Sequence, residues 1–243
     1  MSGGGVRVSV TSEQSRAASP QGRGAAAFYD VDGTLMDANV LHAYAYYALS
    51  VPSLSDKLGR VLKLGASLPL YAWADRRGRK YFNDMFYQSY AGISEDRLVC
   101  VGEELFRTLL RARVYGDMVS LMRQSRREGL RQVLVTGALD TITRPLAAHL
   151  EVDDWAANRL EINAAGEATG NLLPPVLAGP EKASWIRAYA DAHDLDLSRC
   201  HAYADSASDI PMLCAVGHPV AVNPDAQLKA TADAHGWPIL WAK

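Results

Sequence analysis

Two hydrophobic rhythms alternate along this chain. Short apolar runs end abruptly in Asp, Thr or Asn: residues 25–29 run into Asp30, residues 131–135 into Thr136-Gly137, residues 200–204 into Asp205, and residues 219–222 into Asn223-Pro224. Between the runs, apolar positions recur three and four apart, as at Met118, Leu121 and Met122. That spacing predicts one face of an amphipathic helix. Pro180 followed by Glu181-Lys182 is a good helix opening, and Ile186, Tyr189, Ala190 and His193 form one stripe behind it. Strands alternating with helices predict an α/β fold with a parallel sheet, in which ligands sit beyond the carboxyl ends of the strands. Asp30, Thr136 and Asp205 all fall at such ends.

From about residue 41 to 113 the alternation stops. Helical spacing takes over at Tyr44, Tyr47 and Ala48, at Leu58, Val61, Leu62 and Gly65, and at Phe82, Met85 and Phe86. The pattern predicts a helical lobe of residues 41–113 inserted after the first strand, with the core formed by residues 25–40 and 114–243. Its aromatic and leucine stripes are expected to be core, not a ligand cage. The basic run at residues 76–80 is expected to be a solvated turn. Residues 1–24, rich in Ser, Gly, Ala and Arg and without an apolar h-region, read as a disordered extension and not as a signal peptide.

Composition narrows the class. A chain of 243 residues can hold one substantial core and a smaller lobe. Its net charge of −2 leaves no basic stripe for nucleic acid. The most apolar window, residues 64–74, contains Pro69 and is too short to span a bilayer. Cys100, Cys200 and Cys214 are scattered without metal-type pairing and are expected to be buried, reduced thiols of a cytoplasmic protein.

The candidate chemistry begins at Asp30-Val31-Asp32-Gly33-Thr34. If the backbone is still extended there, both carboxylates point to one side, about 7 Å apart. Carboxylates aimed at one spot repel and need a cation or a shared proton. Mg2+ suits such a site, taking one or two carboxylates and leaving positions for phosphate oxygens. Gly33 permits a sharp turn and Thr34 adds a hydroxyl. Thr136 and Gly137 could offer a hydroxyl and backbone N–H groups to an anion at a helix start, Lys182 an ammonium, and Asp205 and Asp209 two further carboxylates.

Together and in this order, these elements resemble the haloacid dehalogenase superfamily of phosphohydrolases. The matching motifs are residues 30–34, Thr136-Gly137, Lys182, and Asp205-Ser206-Ala207-Ser208-Asp209 followed by Ile210-Pro211-Met212-Leu213. The helical insert is similar to the small cap of the subfamily that contains phosphoserine phosphatase, and residues 215–225 resemble that subfamily's C-terminal segment. The resemblance covers roughly residues 25–241 and implies a Rossmann-like core under the cap. It implies Asp30 as nucleophile forming an aspartyl-phosphate, and Asp32 as the acid that protonates the leaving alcohol and then activates water. Mg2+ would be held by the Asp30 carboxylate, the Asp32 backbone carbonyl and Asp205, with Asp209 in support. Thr136, Gly137 and Lys182 would bind the phosphoryl oxygens of a small phosphorylated metabolite.

The cap departs from the resemblance. The glutamate and arginine that hold phosphoserine in such enzymes are matched here by Asn39 and by residues 84–90, which contain no arginine. Ser208 stands where Asn is usual. Phosphoserine is therefore not expected to be the main substrate. A phosphotransferase or mutase using the same aspartyl-phosphate is the alternative. A signalling receiver shares Asp, Thr and Lys on an α/β sheet, but it is about half this length and carries its aspartate on a middle strand.

Overall fold

In the first strand, β1 (Ala26–Tyr29), every side chain is buried, as a strand covered by helices on both faces requires. The structure, a computed structural model, describes residues 23–38, 45–47 and 86–243. The extension up to residue 22, Asn39, the basic run at 76–80 and most of the predicted cap lie outside the described residues.

Five more strands complete the sheet: β2 (Arg131–Leu139), β3 (Asp154–Asn158), β6 (His201–Ala204), β7 (His218–Val222) and β8 (Ile239–Leu240). The order is β3-β2-β1-β6-β7-β8, with every neighbouring pair parallel. Alternation along the central strands feeds two cores. Ala27, Tyr29, Leu134 and Tyr203 face Met118 and Met122 of α2 (Gly116–Arg127) and Ile142 and Leu146 of α3 (Asp140–Leu150). Ala26, Phe28, Val133, Val135 and Ala202 face the opposite layer: Ile186 of α4 (Pro180–Ala192), Met212 of α5 (Ile210–Leu213) and Leu228 of α6 (Ala226–His235). The result is a parallel sheet between two helical layers, the α/β class expected.

Three details differ from the sequence reading. β2 does not stop at Thr136 but runs on to Leu139, with its register against β3 shifting between Val135 and Leu139. His193 is exposed instead of completing the buried stripe of α4, and its Nδ1 lies 2.9 Å from the Tyr189 carbonyl at the helix end. The thiols also differ: Cys200 is buried, but Cys100 and Cys214 are exposed. Cys100 lies on the outer face of α1 (Glu95–Leu105), which buries Leu98, Val101, Gly102 and Leu105 instead.

The chain leaves the sheet and returns to it at one point. Asp37 N–H donates to the Arg113 carbonyl at 2.9 Å, and Tyr115 N–H to the Leu35 carbonyl at 2.9 Å. Before that return, α1 lies across α3, where a Cβ on Gly102 would sit 2.5 Å from the Thr141 carbonyl. Residues 88–95 are tied down on a hairpin of β4 (Leu160–Ile162) and β5 (Ala168–Leu172), with Gly92 and Ala168 N–H groups donating at 2.9 and 2.8 Å. Among the described residues, no helix is long and apolar enough to cross a membrane.

Candidate active site

Asp30 stands one residue past β1. Its backbone N–H still donates to the Tyr203 carbonyl of β6 at 3.0 Å, so the strand geometry fixes where its side chain begins. Immediately afterwards the chain folds into a tight loop. Leu35, Thr34 and Met36 N–H groups all point to the Val31 carbonyl, and Gly33 N–H reaches Met36 at 2.9 Å. Gly33 has φ +79, and a Cβ there would collide with the Asp205 carboxylate, 2.7 Å from its Cγ. Glycine is needed twice: for the left-handed backbone and for the close approach of the next motif.

Lys182 joins the motifs. From the first turn of α4 its ammonium reaches Asp30 Oδ1 at 2.7 Å and Asp209 Oδ1 at 2.8 Å, and all three side chains are buried. The Asp209 contact is an ion pair without hydrogen-bond alignment. A lysine in a first turn opposes the helix dipole, so its place there depends on those carboxylates. Asp205 completes the group, with ligand oxygens of Asp30, Asp205 and Asp209 all within 4.8 Å of one another. Thr34 Oγ1 approaches Asp205 at 3.4 Å and Ser206 Oγ approaches Asp209 Oδ2 at 3.5 Å. Asp225 braces the loop by accepting Ala207 N–H at 2.8 Å, while its own N–H donates to the Asp205 carbonyl at 2.8 Å.

Among the described residues, three carboxylates against one ammonium leave the cluster short of positive charge. Burial pushes the Asp30 carboxyl up and Asp209 adds to the rise, against the pull of Lys182. Burial, then the charges of Asp30 and Asp209, push Asp205 up to about 8. For Lys182, burial works against the ammonium, but Asp209 and Asp30 outweigh it and hold it above the ordinary lysine range. A cluster that would sooner keep a proton than ionise fully is suited to a hard cation, which takes several carboxylate oxygens at close range.

Thr136 and Gly137 lie one strand over. The β1–β2 register pairs Tyr29 with Leu134, which puts Thr136 at the level just past Asp30. Thr136 Oγ1 accepts Ala138 N–H at 3.0 Å, leaving its own O–H as a donor. The Gly137 carbonyl is held twice, by Tyr87 O–H at 2.8 Å and by Asn158 Nδ2 at 2.9 Å. Asn158 in turn accepts Leu177 N–H at 2.8 Å.

Asp30, Lys182, Asp205 and Asp209 therefore converge, with Thr136 and Gly137 on the neighbouring strand at the same level. The Asp32 carboxylate is half-buried and stands outside the trio of clustered carboxylates. The sequence reading missed Asn158, Tyr87 and Asp225 as supports. Asn158 had one available signal, an amide ending an otherwise small and apolar stretch. Tyr87 had none that separates it from core aromatics.

The sequence matches the family described as haloacid dehalogenase-like hydrolase over residues 27–214. A Mycobacterium tuberculosis protein named phosphoserine phosphatase SerB1 is 31% identical over 225 residues, covering 88% of this chain and 70% of that one. A Streptomyces azureus protein named inhibition of morphological differentiation protein is 39% identical over 137 residues, 56% of this chain, and the chain spans about half (49%) of its length. A solved structure described as a phospho-aspartyl intermediate analogue of phosphoserine phosphatase superposes with a TM-score of 0.68, covering 90% of this chain and 93% of its own, at 17% identity. At that identity the likeness is one of fold.

Proposed function

This chain belongs to the haloacid dehalogenase-like hydrolases, a phosphoric monoester hydrolase by that kinship, and from that premise we propose that it cleaves a small phosphate monoester through an aspartyl-phosphate on Asp30. The observation that carries this reading is the buried ammonium of Lys182 bridging Asp30 and Asp209 at 2.7 and 2.8 Å. It holds a carboxylate oxygen at the carboxyl end of a parallel strand, where ligands bind in such sheets.

In the first half-reaction the Asp30 carboxylate forms a bond to phosphorus as the bond to the ester oxygen breaks, and Asp32 gives its proton to the leaving alkoxide. In the second, Asp32 takes a proton from water as that water attacks phosphorus, which frees Asp30 and releases phosphate. Thr136 O–H, the Gly137 N–H and the Lys182 ammonium bind the phosphoryl oxygens in both steps. Asp30, Asp205 and the Asp32 carbonyl would hold Mg2+, with Asp209 supporting, and the ion would neutralise charge on the phosphoryl oxygens. The inserted residues 41–113 are proposed to supply the cap domain of this enzyme.

Metal dependence follows from the charge deficit. EDTA is expected to abolish phosphate release, and Mg2+ to restore it and raise the melting temperature, because the ion binds only the folded cluster well. With Asp205 near 8 in the metal-free protein, binding at neutral pH must displace its proton. The Mg2+ affinity should therefore rise with pH up to about that value. Full turnover in an EDTA-treated, metal-free sample would refute this part of the proposal. Release of inorganic phosphate without any added acceptor alcohol separates hydrolysis from phosphotransfer.

Phosphoserine is proposed as a minor substrate only. Asn39 and Asp84 lie outside the described residues, but the described part of the segment buries Phe86, Tyr87 and Tyr90 in one aromatic cluster. If that arginine-free segment borders the leaving-group pocket, it offers no paired charges to the ammonium and carboxylate of an amino acid, a penalty of several kcal/mol. In a mixed panel of phosphate monoesters, kcat/KM for phosphoserine should fall at least about tenfold below that of the best substrate, roughly 1.4 kcal/mol. Phosphoserine as the best substrate would contradict the assignment.

A further inference from the structure

The open edge of the sheet holds a second feature that the catalytic cluster does not use. Beside β3, the edge strand, lies a cavity of about 510 Å3, within the size range of sites for small molecules. Its lining takes in Trp155 on β3, Trp185 on α4 and the turn at residues 173–175, together with Asp140 and Arg144 of α3 and Arg159 just past β3. None of the clustered carboxylates or Lys182 borders it.

Two properties of the lining point to a ligand. First, neither Arg144 nor Arg159 has a carboxylate within 4.0 Å or a side-chain hydrogen bond among the described residues, although both guanidinium groups line the same space as Asp140. Two guanidinium groups and one carboxylate leave a single positive charge, which one anionic group balances and a phosphate dianion would exceed. Second, both indoles are only half-buried and both line the cavity, although Tyr189 stacks on Trp185 with ring centroids 4.8 Å apart. Arginine forks match a planar carboxylate, and indole faces match a planar ring.

We infer that this cavity binds a planar aromatic monoanion, its carboxylate on Arg144 and Arg159 and its ring against Trp155 and Trp185. The site is distinct from the phosphate-binding centre. Leu177 connects the two: it lines the cavity, and its N–H is held by Asn158, the residue that also holds Gly137.

Calorimetric titration with indole-3-acetate tests this directly. Saturable one-to-one binding is expected, with acetate alone and indole alone each at least about tenfold weaker, because each offers half of the contacts. Arg144→Ala/Arg159→Ala should weaken indole-3-acetate at least about tenfold and leave indole unchanged. Both arginines are exposed, so its melting temperature should match the wild type. Asp30→Asn should bind as the wild type does, whatever becomes of the catalytic reading. Absence of saturable binding up to about 10 mM, well above the concentration needed for even a weak site, would overturn the inference. Undiminished binding by the double arginine variant, or loss of binding in Asp30→Asn, would do the same.

Discussion

Replacement of Asp30 by asparagine is expected to lower kcat by at least about 10^3-fold, some 4 kcal/mol of barrier, while the protein stays folded. The amide keeps the shape of the side chain but removes the anion that attacks phosphorus. It also removes one of the three carboxylates whose oxygens lie within 4.8 Å of one another. Folding should survive, because Asp30 is already resisted by burial and by Asp209. Removing its charge relieves part of that conflict, and Lys182 keeps Asp209 as partner at 2.8 Å. The melting temperature of the metal-free variant should accordingly equal or exceed that of the metal-free wild type. Steady-state kinetics and a thermal melt check both halves, and near-normal turnover would remove Asp30 from the nucleophile's role.

Lys182→Met reverses the charge argument and should be the more damaging change to the fold. Methionine roughly preserves the length of the buried stem but withdraws the only ammonium that faces Asp30 and Asp209 among the described residues, leaving two buried carboxylates opposed. Breaking a buried pair in this way costs about 3–5 kcal/mol. In a protein of this size that corresponds to a fall in melting temperature of roughly 10 °C. Turnover should fall at least about 10^2-fold, since a charge positioned on the phosphoryl group contributes some 3 kcal/mol to the transition state. Added Mg2+ should restore part of the melting temperature by supplying positive charge to the same carboxylates, but not the turnover. A variant that melts and turns over as the wild type does would mean that the ammonium is incidental.

The residues of the candidate site were easier to single out in the sequence than several of the elements around them. Asp30, Asp32, Gly33 and Thr34 fall within five consecutive residues, and Asp209 lies four residues after Asp205, so their motifs survive as local patterns. Lys182 is 152 residues from Asp30, and only its position at a helix opening marked it. Strands β1, β2, β6 and β7 were legible because each contains a short apolar run that stops at a polar residue. β3 reads Asp-Trp-Ala-Ala-Asn, an edge strand with little β-branched character, and β8 has two residues. Neither leaves a periodic signal. The hairpin of β4 and β5 is held by residues 88–95, a tertiary contact that no local pattern announces. The same holds for the supports of the site. Asn158 and Tyr87 act by holding one carbonyl, Gly137, and Asp225 acts by capping α6 while bracing the loop after β6. Roles that consist of holding a distant backbone group leave no spacing in the sequence.

The proposed reaction passes through a covalent bond between phosphorus and the Asp30 carboxylate. Borohydride quenching during turnover reduces an acyl phosphate to the alcohol, converting aspartate to homoserine, and peptide mass mapping then locates the change. Homoserine at position 30, dependent on substrate and absent from the Asp30→Asn variant, is the predicted result. An unmodified Asp30 under conditions of steady turnover, or homoserine at Asp32, Asp205 or Asp209 instead, would contradict it.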